Sequence, residues 1–164
     1  MRIPVFISCP TTLRPSQEAA KTLILAELKK HHLEPRQLGK SDYPTELPLR
    51  EVYGIAKHCS GGIILGFEQF RTDSGIRKFG TAGEKTMTTQ TLVPTEWNNL
   101  EAGILYALQV PILVMKEEGI SGGVFDYGVT QYFVHKMPQT RADMTLMSEV
   151  FLKWGSSVRS HYYA

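Results

Sequence analysis

Glu101 is the residue best placed by its surroundings to do chemistry. It sits in Thr95-Glu96-Trp97-Asn98-Asn99-Leu100-Glu101, about one turn into a helix that runs directly into the apolar strand Val110 to Met115. A carboxylate there can stabilise positive charge that develops on a bound molecule. It can equally be structural. Asn98-x-x-Glu101 has the spacing of an N-terminal capping box, in which each side chain satisfies a backbone donor. A first-turn glutamate is also favoured by the helix dipole. Read alone, the segment favours the cap.

Other reactive side chains are sparse. Cys9 and Cys59 are too few for a disulfide framework, and neither has a second Cys or a His at zinc-ligand spacing. Their expected places, at opposite ends of neighbouring strands, argue against a disulfide, and Cys9 reads as a small buried hydrophobe. The five histidines are scattered. Gly80-Thr81-Ala82-Gly83-Glu84-Lys85-Thr86 hints at a phosphate-binding loop but lacks the Gly required at Glu84, and does not follow a strand directly. Arg71, Arg77, Lys78 and Lys85 make that region basic, which suits a solvated loop or contact with a pyrophosphate.

These residues need a scaffold, and hydrophobic patterning supplies one. Ile3 to Cys9, Gly61 to Phe67 and Val110 to Met115 are continuous apolar runs of strand length. Glu34 to Leu38 predicts a weaker strand, at an edge because of Pro35, and Gln131 to Met137 a last one. Helices are expected from a Ser16 cap to His31, over Leu49 to Cys59, from Glu96 or Asn98 to Leu108, and from Ala142 to Trp154. On the first helix Ala20, Leu23, Ile24 and Leu28 form the apolar face, with Glu18, Lys21, Lys29 and Lys30 on the solvated side. On the last, Met144, Met147, Val150, Phe151 and Trp154 face inward. Residues 68–95 have no clear period and read as a long loop of the kind that covers a ligand.

Strands alternating with helices, the core strands continuously apolar, predict an α/β fold. The expected form is a flavodoxin-like parallel sheet of about five strands with helices on both faces, a single domain over residues 1–164. In such sheets ligands bind beyond the carboxyl ends of the strands, at the switch in strand order. That rule selects Ser8-Cys9-Pro10, the Asp42 loop, Phe67-Glu68-Gln69 and Lys116-Glu117-Glu118. Asp42 and Tyr43 otherwise make an ordinary turn with Pro44. Trp97 and Phe67 each suit either the core or a stacking surface for a base. Ser8 suits a backbone hydrogen bond or a ribose contact.

Two families resemble this pattern. Trp97-x-x-x-Glu101 with Ala107 and Pro111-Ile112, and Val5-Phe6-Ile7-Ser8 in the first strand, resemble TIR domains. Glu101-x-Gly103 with Ala107 and Pro111 is similar to nucleoside 2-deoxyribosyltransferases. The likeness covers roughly residues 3–115. It implies cleavage or exchange of an N-glycosidic bond at a ribose C1′, with Glu101 as the catalytic carboxylate and Ser8, Asp42, Phe67, Trp97 and Asn98 binding the substrate. Deoxyribosyltransferases usually carry Asp between the third strand and the catalytic Glu. The stretch from Gly61 to Arg71 has none, Glu68 being the substitute and Asp73 lying further out. Nicotinamide leaves NAD as a neutral molecule and needs no proton donor, whereas a purine or pyrimidine does. The leading expectation is therefore an NAD glycohydrolase or cyclase, with NAD as substrate, no other cofactor and, as the resemblance implies, a signalling role in bacterial antiphage defence. The alternatives are a nucleoside 2-deoxyribosyltransferase or nucleoside hydrolase, and a non-catalytic nucleotide sensor or adaptor domain.

Composition narrows the partners. Across 164 residues, 18 basic side chains face 16 acidic ones and 42% of residues are hydrophobic, which suits one globular core and disfavours a disordered chain or a general nucleic-acid binder. No apolar run is long enough to span a bilayer, and the N-terminal residues lack a signal-peptide pattern. The expectation is a cytoplasmic homo-oligomer that binds a nucleotide or nucleoside, with no membrane and no nucleic-acid partner.

Overall fold

The apolar runs pair as one parallel sheet in this computed structural model, which describes residues 2–39, 47–129 and 133–164. Along the chain lie β1 (Ile3–Ser8), α1 (Pro15–Lys30), β2 (Leu33–Arg36), α2 (Pro48–Lys57) and β3 (Gly62–Gly66). Four short strands follow: β4 (Phe70–Thr72), β5 (Gly75–Arg77), β6 (Lys85–Met87) and β7 (Thr91–Val93). Then come α3 (Glu96–Ala107), β8 (Ile112–Lys116), a 3-10 turn at Gly123–Phe125, β9 (Val134–Lys136), α4 (Arg141–Leu146) and α5 (Ser148–Tyr163). The sheet order is β2-β1-β3-β8-β9, every pairing parallel. Helices cover both faces. This is the flavodoxin-like arrangement predicted above, and its switch in strand order falls between β1 and β3.

Alternate residues of each strand feed two cores. Val5 and Ile7 of β1, Ile63 and Leu65 of β3, and Leu113 and Met115 of β8 pack against Ala20, Ile24 and Leu28 of α1 and Phe151 and Trp154 of α5. Phe6, Ile64, Ile112 and Val114 pack against Val52 and Ala56 of α2 and Ala102 and Leu105 of α3. Each fully buried aliphatic or aromatic side chain contributes roughly 1.5–3 kcal/mol, so both faces are firmly seated. Among the described residues no helix is long and apolar enough to cross a membrane.

Several local expectations are corrected. Helix α1 starts at Pro15, whose fixed φ suits the first helical position, with Arg14 rather than Ser16 as the N-cap residue. Lys21 is buried instead of solvated, for reasons given below. Residues 68–95 are not an irregular loop: β4 pairs with β7 and β5 with β6, both antiparallel, forming a two-tiered arm. The last predicted helix is broken at Met147 into α4 and a longer α5. The glycine-rich stretch 80–86 lies at the tip of the arm, running into β6, and does not cradle a helix N-terminus.

Candidate active site

The capping-box reading of Asn98 and Glu101 does not survive the geometry. Helix α3 opens at Glu96 with Thr95 as its N-cap residue, and that cap makes no side-chain hydrogen bond. Asn98 is therefore already in the third helical position, and Glu101 lies in the second turn, on the buried face with Ala102 and Leu105. A carboxyl placed there serves no cap.

It faces a cavity instead. The space measures about 270 Å³ and lies beyond the carboxyl ends of β1, β2 and β3, at the strand-order switch. Ile7, Cys9, Pro10, Thr11 and Thr12 form one wall, and Gln37 and Leu38 the next. Pro48 and Val52 of α2 close the third, and Gln69, Thr95, Trp97 and Glu101 the last. Glu101 is the one ionisable carboxyl on this lining among the described residues, and no Lys or Arg joins it. Larger open grooves exist elsewhere, including one of about 480 Å³ between α1 and α4, but they are not at the strand ends where this fold gathers chemistry.

Burial pushes the Glu101 carboxyl up from 4.5 to about 7, while a hydrogen bond from the Ser8 hydroxyl acts in the opposite direction. Ser8 is itself held from behind. The Asn98 amide donates to Ser8 Oγ at 2.7 Å and leans on the Ser8 carbonyl at 3.4 Å. Because Ser8 Oγ accepts from Asn98, its own proton is directed toward Glu101. Asn98 Oδ1 is buried without a partner among the described residues, a cost of roughly 1–3 kcal/mol that the Asn98–Ser8 contact must offset.

The predicted site residues thus separate into three groups. Glu101 and Trp97 line the cavity, Trp97 at the rim with 42% of its surface exposed. Ser8 and Asn98 are fully buried behind Glu101, Ser8 holding its proton affinity below what burial alone would give and Asn98 holding Ser8. Phe67 is buried in the core on the α1 side of the sheet. Asp42 lies outside the described residues. Cys9 borders the cavity, but burial pushes its thiol up to about 11, which leaves it protonated and a poor nucleophile. Neither cysteine forms a disulfide.

Glu68, the substitute for the missing aspartate, is engaged elsewhere. Arg71 grips it with two hydrogen bonds at 2.6 and 2.8 Å and Arg14 adds one at 2.9 Å. These contacts hold its carboxyl down at about 2, so it has no proton to donate near neutrality. Glu117, at the end of β8, completes the cluster. It accepts from Arg14 at 2.8 Å, from Gln17 at 2.9 Å and from the Glu68 backbone N–H at 2.7 Å. Glu117 falls in one of the strand-end segments selected from the sequence, whereas Arg14 and Gln17 carried no sequence signal, because Glu68 and Glu117, their partners in the cluster, lie 51 or more residues away along the chain. Gln37, Thr11, Thr12 and Thr95 were likewise not legible as lining residues.

No family model matches the sequence, and no curated protein matches it. Among solved structures, the chain is similar to the CMP N-glycosidase BcmB of Clostridium botulinum, with a TM-score of 0.52 and 10% identity over 90% of this chain and 98% of that one. At that identity the likeness concerns the fold.

Proposed function

We propose that this chain cleaves the N-glycosidic bond of a nucleoside or nucleotide, with Glu101 as the catalytic carboxylate. The observation that carries the reading is a buried glutamate aimed into an otherwise uncharged cavity at the strand-order switch. A CMP N-glycosidase has the same fold, which favours nucleosides and their monophosphates over the dinucleotide.

The bond to the base lengthens, its electron pair moves onto the departing ring nitrogen, and the base takes up the proton given up by the water that adds at C1′. Positive charge grows at C1′ and O4′. The ionised Glu101 stabilises that charge, or closes on C1′ to give a glycosyl ester that water or a second base then opens. Trp97 at the rim offers a stacking face for the base. Thr11, Thr12 and Thr95 supply hydroxyls for the sugar.

NAD is the second reading. Among the described residues no second carboxylic acid lines the cavity, and a neutral leaving group would need none. A role in antiphage signalling attaches to that reading alone. A non-catalytic nucleotide sensor is the third.

One experiment separates them. The purified protein is incubated with ribonucleosides, deoxynucleosides, CMP and NAD, and free base is resolved by mass spectrometry beside Glu101→Gln. Base released from a nucleoside or from CMP by the unaltered chain alone supports the proposal. Nicotinamide released alone moves the assignment to NAD. Binding without release, equal in both proteins, leaves the sensor.

A further inference from the structure

Lys21 stands on α1 with only 8% of its surface exposed. Removing an ammonium from water is expensive unless both its protons and its charge are met. The protons are met in part. Lys21 Nζ donates to Gln37 Oε1 at 2.9 Å and hydrogen-bonds the Cys9 sulfur. The thiol donates its own proton to the Pro10 carbonyl at 3.5 Å, which leaves the sulfur to accept. An ammonium carries three donors, and the third has no partner among the described residues.

The charge is not met. Gln37 is a neutral amide, and burial keeps the Cys9 thiol protonated. Glu18, one turn earlier on α1, is exposed, and neither it nor any other carboxylate among the described residues forms an ion pair with Lys21. The contrast with the rest of the chain is sharp. No other Lys or Arg among the described residues is buried, yet the more exposed Arg14, Lys30 and Arg71 each hold a glutamate at 2.9 Å or less. The cation that most needs a counter-charge is the one that lacks it.

What Lys21 borders is a cavity of about 400 Å³ on the α1 side of the sheet. Ile7, Leu25 and Pro35 make its walls apolar, with Glu18 and Thr22 at the exposed mouth. The Thr22 hydroxyl is turned back onto the Glu18 carbonyl at 2.8 Å, and Gln37 Nε2 is turned away to the Cys9 carbonyl at 2.7 Å. The anion that fits carries a single charge and an apolar body. A phosphate monoester carries roughly twice the charge that one ammonium offsets, and the Glu18 carboxylate at the mouth disfavours it further.

We propose that this cavity binds a small monocarboxylate with an apolar body, Lys21 pairing with the carboxylate while Ile7, Leu25 and Pro35 cover the rest. Ile7 and Gln37 separate it from the cavity that holds Glu101, so the acid binds whatever the Glu101 cavity cleaves.

Calorimetric titration of the unaltered chain with hexanoate and benzoate, beside hexanamide and benzamide, tests this. The amides match the acids in shape and lack their charge. At low ionic strength each acid should bind at least roughly tenfold more tightly than its amide, the scale of one charge-assisted hydrogen bond, and more tightly than inorganic phosphate. Lys21→Met keeps the apolar stem without the charge and should erase the difference, while Lys21→Arg should preserve it. Glu18→Gln removes the like charge at the mouth and should tighten the acids roughly two- to fivefold, the scale of an exposed charge interaction, leaving the amides unmoved. A gain of that kind cannot come from loss of folding, so Glu18→Gln decides the matter if Lys21→Met fails to fold. Absence of binding by both acids, amides bound as well as acids, phosphate bound more tightly than either acid, an acid-to-amide ratio indifferent to a folded Lys21→Met, or acids no tighter in Glu18→Gln would each overturn the assignment.

Discussion

A carboxyl that titrates near 7 in the folded chain and near 4.5 when exposed binds its proton more tightly when folded. Between those values the folded state carries the extra proton, so stability falls as pH rises. The favourable contribution is fully present below about 4.5 and is lost as pH passes 7; the shift corresponds to about 3 kcal/mol. Glu101→Gln removes the ionisation while keeping the shape. The variant is expected to melt at higher temperature than the unaltered chain at pH 8, and close to it at pH 4.5, which paired thermal melts will show. Activity should move the other way. If the carboxylate is the working form, kcat/KM rises with pH to a plateau above about 7, and Glu101→Gln abolishes turnover across the range. A profile that falls through pH 7 would instead make the protonated form the active one. Asn98→Ala tests the support behind Glu101: Ser8 loses its donor, its hydroxyl can rotate away, and the midpoint of the same pH profile should rise. At this scale the sequence was informative about Glu101 only through family likeness. Its local pattern favoured a cap, because the N-cap position at Thr95 could not be told from Asn98 by residue type.

The elements around the site are tied by groups that no periodicity reveals. Glu117 accepts three hydrogen bonds, from Arg14 at the start of α1, from Gln17 in its first turn, and from the backbone where the arm leaves the sheet. Glu117→Ala would strand the Glu68 backbone N–H and leave Arg14 and Gln17 with only Glu68 as a partner in the cluster. A loss of about 1–3 kcal/mol is expected, the scale of one buried donor left unsatisfied, and denaturant titration measures it. The arm beyond Thr72 is different. All three β5 residues and two of the three in β6 are exposed, and Gln90 bonds back to Asp73 at 3.0 Å below the outer pair. Replacing residues 74–89 by a two-residue turn should leave stability within about 0.5 kcal/mol, as for surface changes away from the core. A change in turnover in that variant would assign the outer tier to the ligand. Long apolar strands were legible because burial on both faces writes a continuous run. The arm was not, because strands of three residues with exposed side chains carry no alternation to detect. Lys21 was misplaced for a related reason: at helical spacing a lysine marks the wet face, unless an acceptor from a distant element, here Gln37, meets it.

Across the whole molecule, the position of Glu101 is set by how closely α3 lies on the sheet. A Cβ on Gly62 of β3 would come within 2.5 Å of Leu105 Cδ1 and 3.1 Å of Cδ2. Leu105 is one turn beyond Glu101 on the same buried face of α3. The missing side chain at Gly62 is therefore what lets the helix settle and brings its carboxyl to the strand ends. Gly62→Ala forces either an off-rotamer Leu105 or an outward shift of α3, and overpacking of this kind costs typically 1–3 kcal/mol. The expected result is a lower denaturation midpoint together with a fall in kcat larger than any change in KM, since displacement of a reacting group by a fraction of an ångström harms the transition state more than binding. Gly103 supplies the contrast. It lies on the same helix, two residues from Glu101, yet a Cβ there meets nothing within 4 Å. Gly103→Ala should stabilise the chain by roughly 0.5–1 kcal/mol through helix propensity and leave turnover intact. Paired unfolding and kinetic measurements on the two variants distinguish a helix whose placement carries the reaction from one that needs only its glycines. If Gly62→Ala lost stability while keeping full kcat, Glu101 would not depend on the seating of α3, and its orientation would have to come from Ser8 and Asn98 alone.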